Sequence, residues 1–316
     1  MKNAPKNYKL PHPEPMDALQ HARSGGIATF MRLPFINDPQ ELDIALVGVP
    51  FDGGTTYRPG TRFGPRHVRE QSVLIRPWNP VLKVNPFAKF RIADFGDLSV
   101  NPLSIQDTFR RIEEQMEPVL GAGTRCAAVG GDHSISLPLL RATVKKYGPV
   151  AVIQFDAHND LWDEYFGCKL SHGTPFRRAI EEGLIREHSF LQVGLRGQVY
   201  SKDDFEFARK HKIAMITAEE FHAGGMKVFR EQLQAFHGKP VYVTLDIDCV
   251  DPAFAPGTGT PQVGGFSSAQ IVELVRGLRG LKLVGCDVVE VSPPYDNGAI
   301  TSLLAANLLY ELLCVL

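Results

Sequence analysis

The stretch AVIQFDAHND at residues 151–160 joins a mostly apolar run to a cluster of polar, metal-binding side chains. Ala151–Phe155 has the length and composition of a buried strand. Alternation along an extended chain places Asp156, His158 and Asp160 on one side of it. Like charges on one face repel each other unless cations neutralise them, so D-x-H-x-D at this strand end indicates a metal site.

Strand and helix patterns alternate along the rest of the chain. The other predicted strands are Ile44–Val49, Phe90–Phe95, Cys126–Val129, Ser189–Val193, Ala214–Thr217, Val241–Leu245 and Leu283–Val291. The predicted helices are Gly64–Leu74, Ile105–Leu120, Ser136–Lys146, Thr174–Glu182, Asp203–Lys210, Lys227–Phe236, Ser267–Arg279 and Thr301–Cys314, with Ser267 and Gln270 forming a capping box. Apolar strands alternating with helices predict an α/β fold whose parallel sheet is covered on both faces.

Length and composition set the broad class of the protein. The 316 residues carry 34 Lys and Arg against 35 Asp and Glu, a net charge of −1. This balance gives no electrostatic reason to expect nucleic acid or a membrane surface as a partner. The five scattered cysteines fit a reducing cytoplasm. We expect a soluble, cytoplasmic protein with an N-terminal arm at residues 1–40 and a single domain at 41–316, in which the apolar tract Ser302–Leu316 is a buried helix.

Two further strand ends carry similar clusters. Gly130-Gly131-Asp132-His133-Ser134 follows Cys126–Val129, and Asp246-Ile247-Asp248 follows Val241–Leu245. A lone histidine after a strand is usually structural, and D-x-D alone also occurs in surface turns and in sugar transferases. Ligands in a parallel sheet gather beyond the carboxyl ends of its strands, so three such clusters together favour one metal site. Carboxylates with imidazoles suit Mn²⁺, Ni²⁺, Fe²⁺ or Zn²⁺ better than Ca²⁺.

The three motifs G-G-D-H-S, D-A-H-x-D and D-I-D-x-x-D-P resemble, in the same order, those of the ureohydrolase (arginase/agmatinase) family. Supporting segments lie at residues 54–58, 61–65, 171–175, 255–261 and 288–293. The resemblance implies a three-layer, arginase-like α/β fold with a central, mostly parallel eight-stranded sheet. It also implies two divalent ions per subunit, Mn²⁺ or Ni²⁺. Asp156 and Asp246 would bridge them, His133 and Asp160 would complete one site, and His158 and Asp248 the other.

The same resemblance implies hydrolysis of a guanidino C–N bond to give urea and an amine. Water attacks a resonance-stabilised guanidinium poorly, and two metal ions supply the strong nucleophile that this reaction needs. The resemblance assigns Glu290 to orienting the guanidinium and His172 to carrying protons, and Asp160 would pass a proton to the leaving amine.

The sequence indicates the type of reaction more clearly than the substrate. Several segments resemble the branch that acts on 4-guanidinobutyrate and 3-guanidinopropionate, but Trp162 stands where those enzymes typically carry Asn. An indole is a poor partner for a carboxylate. We therefore expect a substrate without one, such as agmatine, guanidine, an alkylguanidine or a biguanide such as metformin. Further predicted substrate-binding residues are Tyr57, Arg58, Tyr165 and Tyr200, and Arg58 keeps the two guanidino acids as the alternative.

Two more functional classes are compatible with the sequence. One is a related C–N hydrolase of the formiminoglutamate type or a deacetylase. The second is a non-catalytic subunit of a hetero-oligomer, although a complete ligand set argues against it. A homo-trimer or hexamer binding a small guanidino substrate is the expected assembly.

Overall fold

The computed structural model describes residues 12–316, and residues 1–11 of the predicted arm lie outside that range. Its strands are β1 (Ile44–Gly48), β2 (Ile92–Asp97), β3 (Arg125–Val129), β4 (Val150–Phe155), β5 (Ile185–Leu195), β6 (Ala214–Thr217), β7 (Pro240–Asp246) and β8 (Lys282–Val289). Each corresponds to a predicted strand, with ends that differ by a few residues.

The strands form one sheet in the order β2-β1-β3-β8-β7-β4-β5-β6. Every neighbouring pair in it is parallel. The predicted mostly parallel, eight-stranded sheet is thus confirmed. Because all strands point the same way, the loops that follow them meet along one edge.

Residues 12–316 contain ten α-helices, which lie between these strands and after the last of them. They are α1 (Gly64–Gln71), α2 (Pro86–Lys89), α3 (Ile105–Gly121), α4 (Ser136–Tyr147), α5 (Pro175–Glu181), α6 (Glu206–Lys210), α7 (Ala218–Gly224), α8 (Met226–Leu233), α9 (Ser268–Gly277) and α10 (Ile300–Val315) within residues 12–316. The predicted capping box of Ser267 and Gln270 opens α9 as expected.

Some predicted helix boundaries were wrong. The predicted helix Gly64–Leu74 ends at Gln71 and passes into a 3-10 turn, and Lys227–Phe236 does the same after Leu233. The predicted helix Asp203–Lys210 begins only at Glu206. Such differences arise because the last turn of a helix readily tightens to 3-10 hydrogen bonding, which leaves the hydrophobic spacing nearly unchanged.

Two apolar cores flank the sheet. On one face, side chains from α1, α7, α8, α9 and α10 pack against the strands. On the other face, α3, α4, α5 and α6 supply the packing. Along β4 the alternation is visible, since Ile153 and Phe155 face the first core and Val152 faces the second. This three-layer arrangement explains why the central strands are apolar throughout.

Helix α10 lies inside the fold, as predicted for the C-terminal apolar tract. The segment Asn297–Val315 has the length and composition of a membrane span, but 72% of that window is buried in the protein. Its one acid, Glu311, accepts a hydrogen bond from Arg276 Nε at 2.9 Å. The helix packs against α1, α9 and β8.

The part of the predicted arm nearest the domain also packs on the core. Phe30, Met31 and Leu33 are almost fully buried. The backbone N–H of Phe30 donates to Asp94 at 2.8 Å, and that of Met31 donates to Ser72 at 2.7 Å. These contacts join the arm to β2 and to the end of α1.

Candidate metal centre

The four adjacent strands β3, β8, β7 and β4 in the middle of the sheet each lead into a predicted site residue. His133 follows β3, Asp156 follows β4, Asp248 follows β7 and Glu290 follows β8. Gly131 makes the first of these turns possible: a Cβ there would lie 1.7 Å from the carbonyl oxygen of Phe51. No other amino acid fits so close to that backbone.

His133 lies at the centre of a first group of carboxylates. Its Nδ1 is 3.1 Å from Asp156 Oδ2, 3.0 Å from Asp160 Oδ2 and 3.2 Å from Asp246 Oδ2. All four side chains are buried or nearly so. The ligands predicted for the first metal ion thus surround one point.

A second group lies beside the first and shares Asp156 with it. His158 Nδ1 is 3.0 Å from Asp248 Oδ2 and 3.6 Å from Asp156 Oδ1. Asp246 lies next to this group, since its Oδ1 accepts the backbone N–H of Asp248 at 2.8 Å. The geometry therefore makes Asp156 common to both groups, while bridging by Asp246 stays a prediction.

The buried carboxylates of this region favour the binding of cations. Burial and the Asp156 carboxylate raise the pKa of Asp160 to about 6. Burial, with the Asp248 carboxylate, also raises the pKa of Asp246 well above its ordinary value. Burial by itself would lower the pKa of His133, but the carboxylates of Asp156, Asp160 and Asp246 raise it well above the ordinary range. Four carboxylates around two imidazoles attract positive charge strongly.

His133 Nδ1 provides the most direct test of whether a metal ion fits. This atom is buried and has no partner of hydrogen-bond geometry among residues 12–316, although three carboxylate oxygens surround it. Three carboxylate oxygens around one buried imidazole nitrogen are unfavourable unless a proton or a metal cation lies between them. Imidazole and carboxylate donors together suit divalent transition metals, so the residues present fit two such ions.

Glu290 lies beside this centre. One of its two carboxylate oxygens has hydrogen-bond partners, and the other is free to bind a ligand. Its Oε1 accepts the backbone N–H of His133 at 2.9 Å and lies 3.2 Å from His172 Nδ1. Its Oε2 is buried without a partner in the described part of the chain. A Cβ placed on Gly259 would come within 3.5 Å of that oxygen. The absence of a side chain at Gly259 thus leaves Oε2 open to a donor group of a ligand.

His172 completes a short polar chain with Glu290. Its Nε2 is 2.7 Å from Thr56 Oγ1, and its backbone N–H donates to the Gly54 carbonyl at 3.0 Å. Burial opposes its protonation, but Glu290 and two nearby aspartates raise the pKa of His172 to about 9. The group can therefore hold a proton beside the centre.

Two site residues adopt unusual backbone conformations. Asp160 has a φ of 50° and Glu290 a φ of 62°. This left-handed region is unfavourable for residues with a Cβ and costs about 1–3 kcal/mol, and it often marks functional sites. It turns both carboxylates toward the centre at the point where each loop leaves the sheet.

The predicted substrate-binding residues separate into two places. Trp162 is half-buried, and its ring lies 5.8 Å from that of Tyr165 and 5.4 Å from that of Tyr200. A Cβ on Gly173, the neighbour of His172, would lie 3.3 Å from Trp162 and 2.6 Å from Tyr165. The three rings, which we call the aromatic cluster, therefore lie beside His172.

Tyr57 and Arg58 form the second place. The Arg58 guanidinium lies 5.4 Å from the ring centre of Tyr57 and 5.1 Å from that of Tyr295. The backbone oxygen of Arg58 approaches Gly259, which also borders Glu290. No acid in residues 12–316 lies within ion-pair distance of Arg58.

Arg196 is a site residue that the motifs did not indicate. Its guanidinium donates to the carbonyl oxygens of Asp248 at 2.6 Å, Gln262 at 2.8 Å and Gly194 at 3.1 Å. Its backbone N–H donates to the carbonyl of Ala157 at 3.0 Å. Arg196 thus joins the loops that carry His158 and Asp248. Only its position just after a strand of the sheet distinguishes it in the sequence.

Comparison with known proteins settles the family. Residues 42–314 match the arginase family. The chain belongs to that family. Its members hydrolyse amidino C–N bonds, the bond type found in guanidino compounds, and the predicted enzyme class is therefore confirmed.

Several members of the arginase family are similar over nearly the whole chain. The chain is 50% identical to a guanidinopropionase and 48% identical to a guanidinobutyrase, both from Pseudomonas aeruginosa, over 96% of each chain. Proclavaminate amidino hydrolase from Streptomyces clavuligerus superposes with a TM-score of 0.88 at 40% identity, covering 93% of this chain and 98% of that one. The predicted branch of the family is thereby confirmed.

Proposed function

We propose that this protein hydrolyses a short guanidino acid, of the size of 3-guanidinopropionate or 4-guanidinobutyrate, to urea and an amino acid. The observation that carries the proposal is the identity of 48–50%, over nearly full length, to enzymes named for these two substrates. The agmatinase of Gallus gallus is less similar, at 43%. The Arg58 guanidinium supports the proposal, because it offers a cation for the substrate carboxylate.

Two groups of residues would hold the metal ions. His133 and Asp160 would belong to one site and His158 and Asp248 to the other; Asp156 lies in both groups, and Asp246 would be shared between them. Bound divalent ions, Mn²⁺ or Ni²⁺, lower the pKa of water and so supply a nucleophile near neutral pH. The excess of carboxylates also favours a cationic substrate over a neutral one.

The remaining residues would orient the substrate and move protons. Glu290 Oε2 accepts hydrogen bonds from the guanidinium and holds its carbon in place. A C–O bond to water forms, and the C–N bond to the amine then breaks. Asp160 takes up the proton that the attacking water releases and passes it to the departing amine nitrogen, and His172 exchanges protons with solvent through the imidazole.

A second candidate is a substrate without a carboxylate, and the aromatic cluster favours it. Trp162 presents a large apolar surface next to His172 and has one N–H donor. A substrate carboxylate placed against it loses hydration worth about 1–3 kcal/mol, at least about a tenfold handicap in kcat/KM. Agmatine, guanidine, an alkylguanidine or a biguanide such as metformin would avoid that loss.

A substrate panel separates the two candidates. Metal-depleted enzyme is reconstituted with Mn²⁺ and, separately, with Ni²⁺, and urea release is measured on guanidino acids and on carboxylate-free guanidines. The proposal predicts the highest kcat/KM on a guanidino acid. A preference for carboxylate-free guanidines that Trp162→Asn shifts toward the acids, while Tyr200→Phe does not, would favour the second candidate. Formamide release from formiminoglutamate, without urea from any compound, would show that both are wrong.

A further inference from the structure

A buried polar chain runs from His133 away from the metal centre into the sheet. His133 Nε2 is 2.8 Å from Thr244 Oγ1, and Thr244 Oγ1 donates to Asp287 Oδ1 at 2.6 Å. Thr244 on β7 and Asp287 on β8 are direct partners in the parallel register of these strands. All three residues have no measurable solvent exposure.

Among the described residues, the Asp287 carboxylate has no lysine or arginine beside it as a counter-charge. Its Oδ2 accepts hydrogen bonds from Tyr242 at 2.7 Å and from Ser136 at 2.9 Å. Within residues 12–316 it forms no ion pair. Burying a charge without a counter-charge is costly, and an apolar residue would pack in a sheet interior at lower cost. Through Thr244, its carboxylate is linked by hydrogen bonds to the imidazole of His133.

The direction of each hydrogen bond follows from the chemistry of these groups. A carboxylate only accepts, so the single hydroxyl proton of Thr244 points to Asp287. Thr244 Oγ1 then has only lone pairs left for His133, and Nε2 must carry the imidazole proton. The lone pair of the neutral ring is therefore on Nδ1, which faces Asp156, Asp160 and Asp246.

We propose that Asp287, acting through Thr244, fixes the proton of His133 on Nε2 and so keeps Nδ1 available to bind a divalent cation. Both are positioning residues, since neither reaches the substrate pocket. The inference deepens the proposed function and rests on His133 being a metal ligand. Partners of this kind typically raise metal affinity 10–100-fold, by orienting the ring and increasing its basicity.

Metal affinity of the whole protein tests the inference. Mn²⁺ binding is measured by competition with a chelator, and bound metal is counted by elemental analysis, for Thr244→Val and Asp287→Asn. Valine matches the shape of threonine without its hydroxyl group. We expect both variants to bind the Mn²⁺ ion that His133 would hold about 10–100-fold less tightly than the wild type. Thr244→Ser, which restores the hydroxyl group, should recover affinity to within about threefold.

Tyr242→Phe is the matched control. It removes one donor from Asp287 and leaves the link between His133 and Thr244 in place, so its affinity should stay near that of the wild type. Thermal unfolding of each metal-free variant separates loss of metal affinity from loss of the fold. The inference is overturned if Thr244→Val and Asp287→Asn bind Mn²⁺ like the wild type, or if Tyr242→Phe weakens binding as much as they do. A wild type that binds metal but releases no urea would instead contradict the proposed function alone.

Discussion

Replacing Glu290 by Gln removes one charge at the open face of the centre and keeps the shape of the side chain. The amide oxygen still accepts from the backbone of His133, so the loop should hold its conformation. What is lost is the ionic part of the contact between Oε2 and the guanidinium, because Oε2 is the buried atom without a partner among residues 12–316. A hydrogen bond to a charged group contributes about 1.5–3 kcal/mol. We therefore expect kcat/KM to fall about 10- to 150-fold.

The assay is urea release under conditions where kcat/KM is measured directly, with metal content and thermal stability determined on the same samples. Glu164→Gln is the matched control, since Glu164 is an exposed acid in the loop after Trp162. Metal content should stay at the wild-type level in both variants. The reasoning about Glu290 is refuted if Glu290→Gln retains kcat/KM within about threefold of the wild type, or if its loss of activity follows a loss of metal.

Three further outcomes follow from the geometry. Asp248→Ala should fold but lose the metal ion nearer His158, as counted by elemental analysis. Turnover should fall by more than about 10–100-fold, which is the loss typical when a residue that only supports a metal ligand is changed. Wild-type turnover with one ion per chain would contradict this. In metal-free protein the raised pKa of His172 stabilises the fold fully below about pH 6.5, and that stabilisation is lost as the pH rises through about 9. The melting temperature should therefore drop over this range, and His172→Asn should flatten the drop. Arg196→Met should lower the free energy of unfolding in denaturant by at least about 1.5–3 kcal/mol, and more than Arg196→Lys does, because the methionine cannot donate to the six backbone carbonyls that the guanidinium contacts.

Much of the fold was predictable because strands and helices are determined largely by residues that are close together in the sequence. A buried parallel strand must be apolar along its length, so runs such as Ala151–Phe155 stand out from the amphipathic helices between them. The convergence of the six predicted ligands followed from the same pattern, since the carboxyl ends of parallel strands meet at one edge. The helices α2 (Pro86–Lys89) and α7 (Ala218–Gly224) were overlooked because both are short, although the capping box of Thr217 and Glu220 that opens α7 was present in the sequence.

Other parts of the site depend on contacts between residues far apart in the chain. Nothing near Arg196 in the sequence shows that its guanidinium reaches carbonyls more than 50 residues away. The left-handed backbone of Asp160 and Glu290 is likewise imposed by the folded loops, because isolated residues of these types avoid it. Asp287 did leave a signal, a lone acid within an apolar strand, whose meaning appears only once Thr244 lies opposite it.

The most direct test of the two-metal hydrolase is a metal titration read out as urea. Metal-depleted protein is titrated with Mn²⁺ and, separately, with Ni²⁺, while urea and amine release are followed on 3-guanidinopropionate, 4-guanidinobutyrate and agmatine. A two-ion centre predicts negligible activity without metal, a rise that levels off at two ions per chain, and equal amounts of urea and amine. Full activity in depleted protein, a plateau at one ion per chain, or metal binding without any urea would contradict it.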